Sequence, residues 1–513
     1  MFHRKPWYLV IAACVAVVAV WSLVVPSFEA PDEQAHLGTI NFLIQNNRLP
    51  QGSEIDMTRE LALTEKMLGI FRDGHGNNSY TYHPDYHVPY APGAIGLQEE
   101  NIRALNTPDM RSSVVATEAA RYPVAYYGYD SVFVRPVWGA DIFTRLFAAR
   151  FGSVLLAIVM AWAVWQTGRT LFKNRLYAGV LTVMVMLQPM VSFLSAGVNS
   201  DNLHNALFFV VIWLSLSIVE RGASPAALGG AIAATVLDVF TKPQGFVAIP
   251  VIALAILTRA VRERRWKLLF WVGLVVAVVL TLGVAQWDKY KWLFLTENSH
   301  NASFIEYLRF SANKLLAQNV VWYWGVFKWL GVVLPPIYWR VANRVVLISV
   351  LGLGVYLWRV ATKKKIVASL SSIIFLLASS IIYALAIFWF DWQYTKSIGF
   401  SIGIQARYFF PTITAHFSLM LTGLLSLAWS PRLRKYIARG VVLLFTWLQV
   451  GGLWRLITTY YDVSSLPTLL NEMSQYKPWF AKGQWWDVWA GLYALALIGI
   501  LWVLFQPARK KEK

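Results

Sequence analysis

Apolar runs of about 17–25 residues, each closed by a short polar or basic segment, recur from Trp7 to Phe505. Wound as an α-helix at about 1.5 Å per residue, such a run crosses a hydrocarbon core of roughly 30 Å. The runs lack the alternating pattern of a barrel strand, and backbone in lipid must satisfy its own hydrogen bonds, so they are predicted to be helical. Spans are expected near residues 7–26, 141–166, 177–196, 202–219, 226–240, 245–257, 268–286, 345–358, 366–390, 408–429, 437–456 and 489–505. The expected fold class is therefore all-α, a polytopic transmembrane bundle of about 12 spans. The first run is longer than a signal-peptide core and no small-residue cleavage site follows it cleanly, so it reads as an uncleaved helix.

Charge then orients the bundle. With the N-terminus cytoplasmic, basic clusters fall on every second loop: Arg169/Lys173/Arg175, Arg259/Arg262/Arg264/Arg265/Lys267, Arg359/Lys363/Lys364/Lys365, Arg432/Arg434/Lys435/Arg439, and the tail from Arg509 to Lys513. This predicts a multi-pass inner-membrane protein with both termini cytoplasmic. It also disposes of the nucleic-acid reading that a net charge of +19 invites, because the charge is spent on topology. Charged residues make up only 14% of the chain against 57% hydrophobic, below the usual quarter for a soluble domain. The single cysteine, Cys14, sits in the first run and permits neither a disulfide framework nor a cysteine metal site.

The outer face is different in character. Residues 27–141 form a long first loop with fifteen acidic and eight basic residues, rich in His, Tyr, Pro and Gly. A second outer stretch, residues 287–344, has an apolar, Trp-rich middle (315–335) that reads as an interfacial or re-entrant helix or as a further span. Residues 1–429 are taken as one module containing the first loop, and 430–513 as C-terminal helices with a basic tail.

Four polar clusters lie on the predicted outer side. In the first, Pro31, Asp32 and Glu33 suit a helix start, which would place Asp32 and His36 on one face. That arrangement serves either a solvated cap or a general base or metal pair. The second, Tyr80-Thr-Tyr-His83-Pro-Asp85-Tyr-His87, fits a carbohydrate or metal surface, or a proline-stiffened loop lying on the interface. The third joins the Asn199-Ser-Asp201-Asn202 turn, made of ordinary capping residues, to the next outer turn with Asp238, Thr241, Lys242 and Gln244. A lysine on the outer side departs from the charge rule and offers a point charge for a phosphate. The fourth contains Gln405, Arg407 and Tyr408; its arginine either snorkels or grips a phosphate with its guanidinium fork.

The order of these motifs resembles the DUF2142 family of bacterial membrane proteins. The matching pieces are Pro31-Asp-Glu-x-x-His36, Asn199-Ser-Asp-Asn202, Thr241-Lys-Pro-Gln244, Trp324-Gly-x-Phe-x-Trp329 and Gln405-x-Arg-Tyr-x-x-Pro411. More widely the chain is similar to GT-C glycosyltransferases, which carry an acidic residue just after the first helix and use polyprenyl-phosphate sugars. That resemblance implies Asp32 as general base, with Glu33 as fallback, and Lys242 and Arg407 on the leaving phosphate. It implies His36, His83, Asp85, Asp201, Gln244, Gln405 and Tyr408 as further lining of the substrate region. The expected partners are a polyprenyl-phosphate-linked sugar, membrane lipid, and a glycan, lipid or protein acceptor. The compact second acidic motif of metal-dependent members is not evident, so the use of a divalent metal stays open.

Three rivals remain at this level. A transporter or flippase would want ionisable groups along a mid-membrane path, and the predicted span centres are nearly free of them. A glycan ligase or polymerase would normally carry its large loop later in the chain. A non-catalytic subunit of a surface-glycan assembly is the third.

Overall fold

A computed structural model describes residues 7–51, 54–71, 95–264, 266–285, 291, 296–300, 303–401 and 403–506. Every predicted apolar run contains helix. Eight helices are long and apolar enough to cross a membrane, among them Ile142–Phe172, Asp201–Arg221, Leu370–Ile398 and Pro431–Tyr460. The number becomes nine if Arg175–Met186 and Pro189–Ser195, bent by 66°, form one broken span. Tyr8–Val24 and Pro225–Val239 are apolar but shorter. Among the described residues the length criterion thus stops short of about 12 spans, a count drawn from runs of about 20 residues. The bend comes from Pro189, which lacks an N–H; the Gln188 side chain caps the restarted helix by accepting from Val191 N at 2.6 Å.

Helix ends differ from expectation where polar residues sit inside a helix. The run expected at 345–358 starts at Pro336, because Arg340 and Arg344 lower the hydropathy of its first turns without breaking it. Leu370–Ile398 runs on until Gly399, whose φ of +84° terminates it. Gly352 and Gly423 allow Pro336–Ala361 and Ile413–Ser426 to touch backbone to backbone, since a Cβ on either would strike the other helix. The far side of Pro336–Ala361 exposes Leu347 and Leu351, as a lipid-facing surface should.

The described part of the long first loop is a docked cap. Helices Glu33–Asn46, Arg59–Met67, Ile95–Ala104 and Val124–Val134 surround a small antiparallel pair, Met57–Thr58 with Ser113–Val115. Buried Asp56 ties three segments together, accepting from Thr39 Oγ1 at 2.7 Å and from Thr117 N and Oγ1 at 2.8 Å. Arg145, in the first turn of Ile142–Phe172, reaches Glu60 of the cap, and both side chains are fully buried.

Residues 304–335 do not make a further span. Phe304–Lys314 passes through a π-turn, Leu315–Asn319, into a two-residue hairpin, Val326–Phe327 with Val332–Val333. Its tip carries Lys328, Trp329 and Leu330 at positive φ, and Lys328 N donates to the Tyr460 hydroxyl at 2.9 Å. The helices after residue 430 pack against the first span: the Tyr461 hydroxyl donates to Val24 O and Lys477 Nζ to Leu23 O, each at 2.6 Å.

Candidate active site

The first span ends at Val24, and its last carbonyls lack helical partners. Arg150 supplies them, donating from Nη1 to Ser22 O and Val25 O at 2.8 Å and from Nη2 to Pro26 O at 2.7 Å. The same guanidinium holds Glu33 through Nε–Oε1 at 2.8 Å and Nη2–Oε2 at 2.6 Å. Phe28 N and Val198 N each add a donor at 3.0 Å, so both Glu33 oxygens accept twice in a fully buried setting. Both oxygens of Glu33, the expected fallback base, are thus taken up by scaffold donors. A charged arginine two turns inside a span was also not foreseen.

Asp32 is the residue turned outward. Its φ of 60° lies in the left-handed region, which Asp tolerates better than most residues. The helix begins after it, at Glu33, so Pro31 stands outside the helix rather than at its first position. Asn199 clamps this corner: Nδ2 donates to Pro31 O and Oδ1 accepts from Asp201 N, both at 2.8 Å. The approach needs Gly197, where any Cβ would collide with Ala30. The Asn199-to-Asn202 turn is therefore both a helix start and the brace that sets Asp32 beside Asp201.

Two ion pairs meet there. Arg407 Nη2 lies 2.9 Å from Asp32 Oδ2, and Lys242 Nζ pairs with Asp201 Oδ1. Lys242 occupies the turn between two spans, where its N–H bonds Asp238 O at 2.8 Å and Pro243 starts the next helical turn. Arg407 sits in the 3₁₀ turn Ala406–Thr412 that leads into Ile413–Ser426. The Asp32 side chain keeps 27% exposure while Arg407 keeps 7%, so of this pair the carboxylate is the group open to an incoming molecule. Arg407 Nε and Nη1 are buried without hydrogen-bond partners among the described residues. Buried guanidinium donors left open cost free energy, and an anion would satisfy them. Gln244 Oε1, on the same crevice, is likewise unpartnered.

Aromatic rings line the cations: Lys242 Nζ lies 5.3 Å from the Tyr122 ring centre and Arg407 5.5 Å from that of Tyr408. His36 stacks on Tyr122 at 5.9 Å and shares a 3.0 Å hydrogen bond with the Tyr127 hydroxyl. That hydroxyl donates to Ala119 O, so His36 donates from Nδ1 and keeps its lone pair on Nε2. Burial pushes the His36 imidazole down to about 3, ahead of the opposing pull of Asp32, so it is neutral at physiological pH. The crevice beside the Lys242–Asp201 pair, lined also by Arg407 and Tyr408 but not by Asp32, has room for about 10 Å³, one water at most. Gln405 accepts from Tyr408 N at 3.0 Å through its carbonyl, and its side chain is not among those lining the crevice. His83 and Asp85 lie outside the described residues.

The crevice also holds residues that the sequence reading did not single out. His204, one turn after Asp201 on the same helix face, bonds Asp238 Oδ1 through Nδ1 at 2.6 Å and the Tyr383 hydroxyl through Nε2 at 2.8 Å. The Asp-x-x-His spacing was a usable signal. Tyr383, in the middle of an apolar helix, gave none. Among the described residues no three of His, Cys, Asp and Glu converge as a metal site; Asp201, which lines the crevice, already faces Lys242, and Asp32 faces Arg407.

Residues 15–416 match the family model described as predicted membrane protein (DUF2142). Over 207 residues the chain is 26% identical to the undecaprenyl phosphate-alpha-4-amino-4-deoxy-L-arabinose arabinosyl transferase of Edwardsiella ictaluri (strain 93-146). That stretch is 36% of this chain and 35% of the relative, so the likeness spans about a third of each. Among solved structures, ArnT from Cupriavidus metallidurans bound to undecaprenyl phosphate aligns at 15% identity and TM-score 0.43, over 98% of this chain and 76% of that one. The Archaeoglobus fulgidus oligosaccharyltransferase tethered to an acceptor peptide aligns at 11% identity and TM-score 0.45, over 90% and 56%.

Proposed function

Starting from the DUF2142 family of predicted membrane proteins, to which this chain belongs, we propose that it is a membrane glycosyltransferase taking its sugar from a polyprenyl-phosphate donor. The observation that carries this is the buried Arg407, with donors to spare, paired with the more exposed carboxylate of Asp32. The partial likeness to a transferase named for an undecaprenyl phosphate sugar agrees with it.

In the resting arrangement Asp32 and Asp201 stand where a phosphate would, each holding one cation. Entry of the donor phosphate exchanges those partners: Arg407 and Lys242 turn to the phosphate oxygens, and the crevice widens beyond its one-water volume. Asp32 then loses its counter-charge and becomes a better proton acceptor. It takes the proton of an acceptor hydroxyl as the hydroxyl oxygen attacks the anomeric carbon. The bond from that carbon to the phosphate oxygen breaks, and the electron pair leaves with the polyprenyl phosphate. The negative charge gathering on that oxygen is met by two cations fixed in advance, with low dielectric around them. Glu33 and Arg150 hold the backbone from which Asp32 projects. Asp201 positions Lys242, and neutral His36 with Tyr122 walls the acceptor side.

The reaction belongs on the extracytoplasmic face of the inner membrane, with both termini cytoplasmic; the basic loops support that orientation. The acceptor is a hydroxyl-bearing glycan, lipid or protein. The test is transfer from a panel of radiolabelled undecaprenyl-phosphate sugars by the purified full chain in proteoliposomes. Label moving to an acceptor, and failing to move with Asp32→Asn, supports the reading. Label crossing the vesicle unchanged on an ion gradient overturns it in favour of transport.

A further inference from the structure

The bundle end remote from Asp32 concentrates positive charge in another way. Tyr8–Val24 starts there, Ile142–Phe172 ends there, and Arg175–Met186 and Pro431–Tyr460 start there; Trp485–Phe505 ends beside them. Together these helix ends enclose a groove of about 640 Å³. Two segments far apart in sequence bring it five cations, Lys173 and Arg175 from one, Arg432, Lys435 and Arg439 from the other; of these Lys173 also pairs with Glu220, at 3.4 Å. No carboxylate is among its described lining residues. The positive-inside rule asks only that cations lie somewhere in these loops. Their convergence on one concavity creates mutual repulsion that an anion would relieve.

The rest of the lining says which anion. Leu176 and Leu504 give the groove apolar surface, and the rings of Trp7 and Tyr177 stand among the cations. Tyr436, at the rim, is 59% exposed, and Tyr8 beside Trp7 is 69% exposed, the usual setting of aromatic side chains at headgroup depth. One wall is already fixed: Arg439 Nη2 donates to Phe505 O at 2.8 Å, closing the end of the last helix. A free phosphate would use the cations and leave the apolar and aromatic surface unmatched.

We propose that this groove is a binding site for an anionic glycerophospholipid, its phosphate held by Arg175, Arg432 and Lys435 and its glycerol and first acyl carbons lying on the Trp7 and Leu504 side. The site is independent of the sugar-transfer reading, since it lies at the other end of the same helices. It anchors the ends of the first and last spans to the bilayer leaflet on that side.

The test titrates the full chain, purified in detergent, with phosphatidylglycerol, cardiolipin, phosphatidylcholine or inorganic phosphate, reading thermal midpoint and retained lipid by native mass spectrometry. Phosphatidylglycerol and cardiolipin should raise the midpoint and stay bound where phosphatidylcholine does not. Removing two cations with Arg432→Gln/Lys435→Gln should weaken apparent affinity by about 30-fold, as about 1 kcal/mol per cation at a lipid surface implies. Arg432→Lys/Lys435→Arg, which keeps the charge, should bind nearly as the parent does. Equal retention of phosphatidylcholine by the parent protein would overturn the proposal. So would the same shift from inorganic phosphate alone, or unchanged affinity in the double glutamine variant.

Discussion

Arg407 Nη2 donates to Asp32 Oδ2 across 2.9 Å, joining side chains 375 positions apart. On the proposed function, the pair couples a proton acceptor to a phosphate clamp and keeps each occupied until substrate arrives.

Asp32→Asn keeps the size of the side chain and removes its basicity. Transfer should fall by about 10²–10⁴-fold, the usual worth of a general base. Donor lipid should bind at least as well, because Arg407 no longer has an internal carboxylate as competitor. Parallel measurement of turnover and of undecaprenyl-phosphate binding checks this; a fall in both would point to a collapsed site.

Arg407→Gln and Lys242→Met each remove one of the charges proposed to face the leaving phosphate. Each should lower kcat by about 10²–10³-fold, as loss of one preorganised transition-state partner does. The effect should be smaller for donors whose leaving group is already less basic, which a leaving-group series would reveal.

Glu33→Gln tests scaffold against chemistry. It leaves the fully buried Arg150 without its counter-ion, at a cost of about 3–5 kcal/mol. The thermal midpoint and folded yield should drop, while the fraction that folds should keep measurable transfer. An undisturbed thermal midpoint with abolished turnover would instead return Glu33 to the role of base.

Glu29 predicts a pH response. Burial raises its carboxyl from the ordinary 4.5 to about 8, against the opposing pull of Tyr460, Lys328 and Arg150 and with a further push from Glu33. The folded state therefore holds a proton that the unfolded chain releases at lower pH. This contribution to stability is complete below about 4.5 and is lost as pH rises towards about 8. Glu29→Gln should flatten that part of the curve of thermal midpoint against pH. A wild-type slope unchanged by the substitution would show that another group is responsible.

The expected motifs fared unequally, for physical reasons. Asp32, Lys242, Asp201 and Arg407 each sit at a helix end, where hydropathy makes a polar residue conspicuous, and the structure gathers all four. Glu33 was just as conspicuous, yet it faces inward, because a left-handed residue at Asp32 rotates the start of the helix. His204, Tyr383 and Arg150 lie inside apolar runs that absorb a few polar residues with little change in their average. The residue 315–335 stretch looked apolar enough to span, but a π-turn and a hairpin fold it into the bundle.

Sequence by itself determined the solvent: runs of this length and apolarity require helices in a bilayer, and their basic loops supply an expected orientation, because both depend on local composition. Which carboxylate meets which cation was decided only by tertiary structure. Direction of a side chain depends on backbone rotation and on partners hundreds of residues away, such as Asn199 on Pro31 and Arg150 on Glu33, and neither leaves a trace in hydropathy.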